Sequence, residues 1–327
     1  MMSMQNRNLP TKKITVDDLK PGDVFLCPPA PWGKEGAWIG QAIVALTKGY
    51  VSHAAIYYGD KDGERYVADA DVPGITFKKL DVFREDEPEF YVRRHEKPDD
   101  LTPVLHAVDK YVNESNPYPF VNLGLLGLLI VCNRYTHIDK HIYRFMVMLA
   151  NILMKWAQDW KHPGKHPMTC SQFAAQCYTD AGEQYDMAFS ELIIRYGSFE
   201  MAKNDAESPL SLLLKNIHLV NEVNLAYKDA GTENETEITR EFISSLETVQ
   251  RNTKEEMVPV EQIASVTMSI VSSLYFLKEG KAIEDPVAGI HKLLSSTNRN
   301  FFVAPDDILL NCTNLIDVGI LNKDNKE

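Results

Sequence analysis

Short apolar runs broken by turns occupy the first third of the chain, and longer helical spacings follow. Leu19 to Cys27 reads as a turn leading into a short strand. Ala37 to Thr47 sets Ile39, Ala42, Ile43 and Leu46 on one helical face, with Gly49 as its stop. Val51 to Tyr58 and Arg65 to Ala70 are rich in β-branched and aromatic residues and predict two strands. Gly59-Asp60-Lys61-Asp62-Gly63 between them predicts a turn. Gly74 to Leu80 and Phe90 to Arg94 are further strands. Leu101 to Asn113 is an amphipathic helix closed by Asn116-Pro117. The pattern predicts an α+β fold: an antiparallel sheet with helices packed on one side.

Two apolar stretches follow. Leu123 to Cys132 is unbroken, and Ile142 to Met154 is interrupted by Arg144 and Asn151. Neither reaches the roughly 20 residues a membrane-spanning helix needs. They read either as buried helices or as an apolar wall, lid or membrane-touching surface beside a cleft. From about Gly182 to Asn300 the chain reads as helical, clearest over Leu210 to Asn224 and Ile263 to Leu277. Lys228 to Glu256 is acidic and poor in apolar residues, a solvated helix face or a loop.

Candidate chemistry centres on Thr169-Cys170-Ser171-Gln172. Thr169 and Gln172 have the spacing of a capping box, so Thr169 is the expected N-cap and Cys170 the first helical residue. Phe173, Ala174, Cys177 and Tyr178 continue a buried stripe from Cys170. The positive end of the helix dipole favours thiolate there, and the first-turn N–H groups of Cys170 and Ser171 suit an oxyanion. Taken alone, Cys170 also fits a small core cysteine.

A base and its orienting carboxylate lie upstream. A hairpin symmetric about Lys61 pairs Tyr58 with Glu64 and sets His53 opposite Asp69, with Cβ atoms roughly 4.5–5.5 Å apart. Asp69 then holds one ring nitrogen and leaves the other to face a thiol. A register slip of one residue sends one partner to the other face, and Asp71 competes for the same role.

Lys20-Pro21-Gly22-Asp23-Val24, then Thr47-Lys48-Gly49-Tyr50-Val51-Ser52-His53-Ala54, then Thr169-Cys170-Ser171-Gln172 resemble, in that order, the circularly permuted NlpC-type papain-like cysteine hydrolases, the YiiX-like group. The resemblance covers about residues 15–185, and Phe301 to Asp307 resembles that family's closing segment. It implies a permuted papain-like domain with Cys170 as nucleophile, His53 as base and a third polar group on the next strand. Asp69 fills that slot, where the family often has glutamate. Ser52, Tyr50, Gln172, Leu125 and Leu128 are the candidates for lining the cleft. The expected division is a flexible lead over 1–14, a catalytic domain over 15–185 with an apolar helical insert at 120–160, a helical insertion over 186–300, and a closing segment over 301–327.

Composition narrows the partners. The chain has 327 residues and a formal net charge of −12, which argues against a general nucleic-acid binder. Five scattered cysteines without a C-x-x-C pair argue against a disulfide framework. Met1 to Lys13 lacks the apolar core of a signal peptide, so the expected location is cytoplasmic, with signal-free secretion from a bacterium as the other route. No cofactor and no metal are required. His137 and His141 stand four apart, but no third ligand is evident, and a polar helix-hairpin turn is the better reading. His162 and His166 flank Pro163-Gly164, so His166 is a weaker rival base in a loop.

The expected function is a thiol hydrolase or acyltransferase acting through a thioester on an acyl ester or amide. The substrate is an acyl-bearing small molecule, lipid or peptide. The apolar stretches favour a lipid or lipid-modified substrate with peripheral membrane contact, and a peptide or cell-wall amidase is the close alternative. A non-catalytic protein gripping a partner through the 186–300 helices is the reading from another class.

Overall fold

The computed structural model describes residues 9–114 apart from 35, 72–73, 88 and 98, then 139–159, 168–193, 234–248, 258–285, 288–289, 292–293 and 299–322. Seven strands form one sheet: β1 (Lys13–Ile14), β2 (Val24–Cys27), β3 (His53–Lys61), β4 (Glu64–Asp71), β5 (Gly74–Lys79), β6 (Glu89–His95) and β7 (Leu315–Asn322), in the order β1-β7-β6-β2-β3-β4-β5. Every pair is antiparallel except β1 and β7, which run parallel at one edge. The sheet is therefore mixed, which corrects the antiparallel expectation.

Among the described residues the α-helices are α1 (Ala37–Thr47), α2 (Leu80–Asp86), α3 (Thr102–Asn113), α4 (Lys140–Asp159), α5 (Cys170–Asp180), α6 (Glu235–Thr248) and α7 (Val260–Glu279). Strand alternation sends Val24, Leu26, Ala54, Ile56, Ala68 and Ala70 to one face, where α3 and α5 cover them through Val104, Val108, Phe173, Ala174 and Cys177. Phe25, Ala55, Tyr57 and Val67 point to the other face and pack on Leu80 and Phe83 of α2. Helices thus cover both faces, not one. The sequence reading missed α2 because it follows β5 with no intervening turn signal.

A separate apolar core joins α4, α6 and α7 to α1, with Phe145 stacked on Phe242 at a ring separation of 4.0 Å. Ile142, Phe145, Met146, Val147, Ala150 and Leu153 are buried there. Internal packing therefore accounts for the Ile142 to Met154 stripe, and the reading of it as a lid or membrane surface is withdrawn. Within the acidic 228–256 stretch, α6 has a buried face at Ile238 and Phe242. Arg240 lies over the Trp32 ring, 4.8 Å from its centroid, and ties α6 to the loop before α1. Among the described residues no helix is long and apolar enough to cross a membrane. The Leu123 to Cys132 run, the Leu210 to Asn224 helix, His137 and the His162 to His166 segment lie outside the described residues.

Candidate active site

Thr169 is the N-cap of α5. Its extended backbone (φ −63°, ψ 161°) turns Oγ1 to accept from the Gln172 amide at 3.2 Å. The first intrahelical bond runs from the Phe173 amide to the Thr169 carbonyl at 2.7 Å. The amides of Cys170 and Ser171 precede it, in the turn where an α-helix has no internal acceptor to offer. Cys170 keeps 5% of its surface exposed and Gln172 9%. Cys170 thus stands at the first turn, almost wholly buried.

His53 is the first residue of β3, and its ring Nε2 lies 2.7 Å from Asp69 Oδ1. The register that allows this differs from the expected one. The loop is the two-residue turn Asp62-Gly63, with φ of 55° and 80°, so Lys61 pairs with Glu64. Two consecutive positive-φ residues match the right-handed twist of a tight hairpin, and Asp-Gly favours that turn. Continued unbroken, that register would pair Ala55 with Ala70 and send His53 and Asp69 to opposite faces. A β-bulge at Tyr58, between the Tyr57 and Gly59 pairs, adds one residue and restores the shared face. Ala55, not His53, sits opposite Asp69, and the imidazole reaches the carboxylate diagonally. The competitor Asp71 instead binds Lys78 at 3.2 Å.

His53 shares its face with Ala55 and Tyr57, and its ring approaches Phe83 of α2 at 6.5 Å between centroids. Helix α5 covers the opposite face. The two still meet because each catalytic candidate is the first residue of its element. Cys170 stands close enough to His53 to help hold its imidazole up. With Nε2 engaged by Asp69, Nδ1 is the nitrogen left for the thiol.

Lys78 completes the charge arrangement, and the sequence reading did not single it out. Its Nζ is 2.7 Å from Asp69 Oδ2, so each carboxylate oxygen has one cationic or ring partner. The cross-strand pairing of Val67 with Lys78 puts position 78 on the face of Asp69, so correct β4–β5 pairing would have shown it. Burial opposes imidazolium at His53, but Asp69 and Cys170 outweigh it and hold the ring well above its ordinary 6.5. Burial likewise opposes ionisation of Asp69, and His53 and Lys78 overcome it and hold the carboxyl below 3.8. Asp69 also raises Lys78, against the effect of its burial. Replacing Lys78 by Met removes a cation near the ring, so the His53 titration, followed by NMR of its imidazole, should move upward by about one unit. An unmoved midpoint would disconnect Lys78 from the ring.

Burial pushes Cys27 and Cys177 well up and Cys312 to about 11. Of the cleft candidates, Tyr50 is 47% exposed and Ser52 is buried, its amide donating to the Cys27 carbonyl at 2.9 Å. Leu125 and Leu128 lie outside the described residues. His141 faces Glu241 with Nδ1 at 3.3 Å, and Asp139 Oδ1 accepts from the His141 and Ile142 amides as a helix cap. Among the described residues no His, Cys, Asp and Glu grouping fits a metal.

Comparison with protein-family models, curated proteins and solved structures finds no match to this chain.

Proposed function

We propose that this chain is a papain-like cysteine hydrolase or acyltransferase acting on acyl esters or amides. The observation that carries the reading is an imidazole held by a carboxylate beside a thiol: Asp69 lies on Nε2 at 2.7 Å, and Cys170 is near enough to act on the same ring. A ring fixed by a carboxylate and facing a thiol is the arrangement that activates a weak nucleophile. In the first step His53 Nδ1 takes the Cys170 proton, and the sulfur attacks the substrate carbonyl carbon. The amides of Cys170 and Ser171 donate to the developing oxyanion. Collapse expels the alcohol or amine, which takes the proton back from His53, and leaves a thioester on Cys170. Water or another acceptor then gives its proton to His53, attacks the thioester and releases the thiol. Asp69 stabilises the imidazolium in both halves, assisted by Lys78 on its second oxygen.

A lipid acyl chain is the favoured substrate, on the unbroken apolar run Leu123 to Cys132 that precedes the nucleophile. Incubation of wild type and Cys170→Ala with phospholipid vesicles, acylated peptides and cell-wall fragments, read by mass spectrometry, tests this. The expected result is fatty acid or transferred acyl product from wild type and none from Cys170→Ala. Release of cell-wall or peptide fragments instead would reassign the substrate to an amide. Equal products from both proteins would remove the thiol mechanism.

A further inference from the structure

Asp306 is fully buried and belongs to none of the three groups that react. Its Oδ1 accepts from the amides of Tyr50 at 2.7 Å and Val51 at 3.3 Å, and its Oδ2 accepts from Thr47 Oγ1 at 3.3 Å. These donors belong to the end of α1 and the loop that delivers His53. The approach is so close that a Cβ on Gly49 would stand 1.7 Å from Asp306 Oδ2, so only glycine fits there. Three residues upstream of Asp306, the Val303 carbonyl accepts from Ser171 Oγ at 2.7 Å, directly beside the nucleophile. One short segment therefore grips both halves of the site: Val303 the start of α5, Asp306 the approach to β3. Phe301 and Phe302 anchor that segment in the core of α4, α6 and α7, whereas Val303 lies in the core that contains Cys170.

We infer that Asp306 is a positioning residue: the 301–307 segment is a clamp that sets the approach of His53 to Cys170. It rests on the Cys170–His53 reading above. The main-chain grip fixes where β3 begins, and His53 is the first residue of β3, so slack at Tyr50 and Val51 passes directly to the ring. A displacement of about 1 Å between reacting groups can cost on the order of a hundredfold in rate.

The test is the rate at which iodoacetamide alkylates Cys170, read by peptide mass spectrometry at about pH 6 and about pH 10, in wild type, His53→Ala, Asp306→Ala, Asp306→Asn and Ser171→Ala. At the higher pH an ordinary thiol ionises without help. The expected result is a loss of about tenfold or more for Asp306→Ala at about pH 6 only, with rates converging at about pH 10. Asp306→Asn keeps an oxygen for both amides and should recover to within about threefold of wild type. Ser171→Ala, which cuts the other end of the clamp, should show a loss of the same kind, and it decides the question if Asp306→Ala fails to fold. Wild-type rates at about pH 6 in the folded Asp306→Ala and Ser171→Ala variants would overturn the clamp. So would equal slowing at both pH values. If His53→Ala also kept the wild-type rate at about pH 6, the thiol–imidazole reading itself would fall.

Discussion

Replacing His53 by alanine should slow the alkylation of Cys170 at about pH 6 by about a hundredfold and leave it nearly unchanged at about pH 10. The magnitude follows from the free thiol. An ordinary cysteine, near 8.5, is on the order of 0.3% thiolate at pH 6. An imidazole that accepts the proton can convert most of that deficit into reactive thiolate. His53 suits the task because Asp69 holds it well above its ordinary 6.5, so it stays protonated over the range where it must balance a thiolate. Cys27, Cys177 and Cys312, pushed up by burial, supply the internal control. Their peptides should remain unmodified at about pH 6 in both proteins. A His53→Ala protein that alkylates as fast as wild type would mean that the helix start alone, not the pair, sets the reactivity.

Removing Asp69 should be the most destabilising single change at the site. Its side chain is 2% exposed and takes both His53 and Lys78. Deleting one member of a buried ionic network leaves the others uncompensated, at a cost of about 3–5 kcal/mol. Asp69→Ala should lower the urea midpoint by a corresponding amount. The pH dependence has a definite sign. His53 is raised in the folded state, so its share is complete below 6.5 and fades as pH rises through the folded value. Asp69 is lowered, so its share is complete above 3.8 and fades as pH falls through its folded value. The deficit of Asp69→Ala should be greatest between about pH 4 and pH 6.5 and shrink on either side. A deficit independent of pH would point to packing rather than charge.

The candidate site was legible where local chemistry speaks for itself. Thr169 through Gln172 announce the helix start, and the α5 cap has the expected side-chain bond. The β-rich runs around His53 and Asp69 announce two strands and a turn. What pattern alone could not give was the register. Asp62-Gly63 marks a two-residue turn, which by itself would separate His53 from Asp69, and only the bulge at Tyr58 reunites them. A bulge is a response to the whole sheet and leaves little trace in alternation. Lys78 was passed over for a related reason: its partner is fixed by β4–β5 pairing, not by a nearby motif. The parallel β1–β7 edge joins residues near the two ends of the chain, beyond the reach of any window of local periodicity. The α4 stripe fitted either a buried helix or a lipid-facing wall, and the partners that decide for burial, Phe242 and Ile270 among them, come from helices about 100 residues downstream.

The central claim is that the sulfur at the start of α5 becomes acylated with the help of the imidazole at the start of β3. The most direct measurement is to incubate the protein with p-nitrophenyl octanoate, quench in acid and locate the acyl group by peptide mass spectrometry. The account predicts an octanoyl mass on the peptide bearing Cys170, absent from Cys170→Ala and strongly reduced in His53→Ala. An acyl group on other cysteines alone, or equal labelling of Cys170 with and without His53, would contradict it.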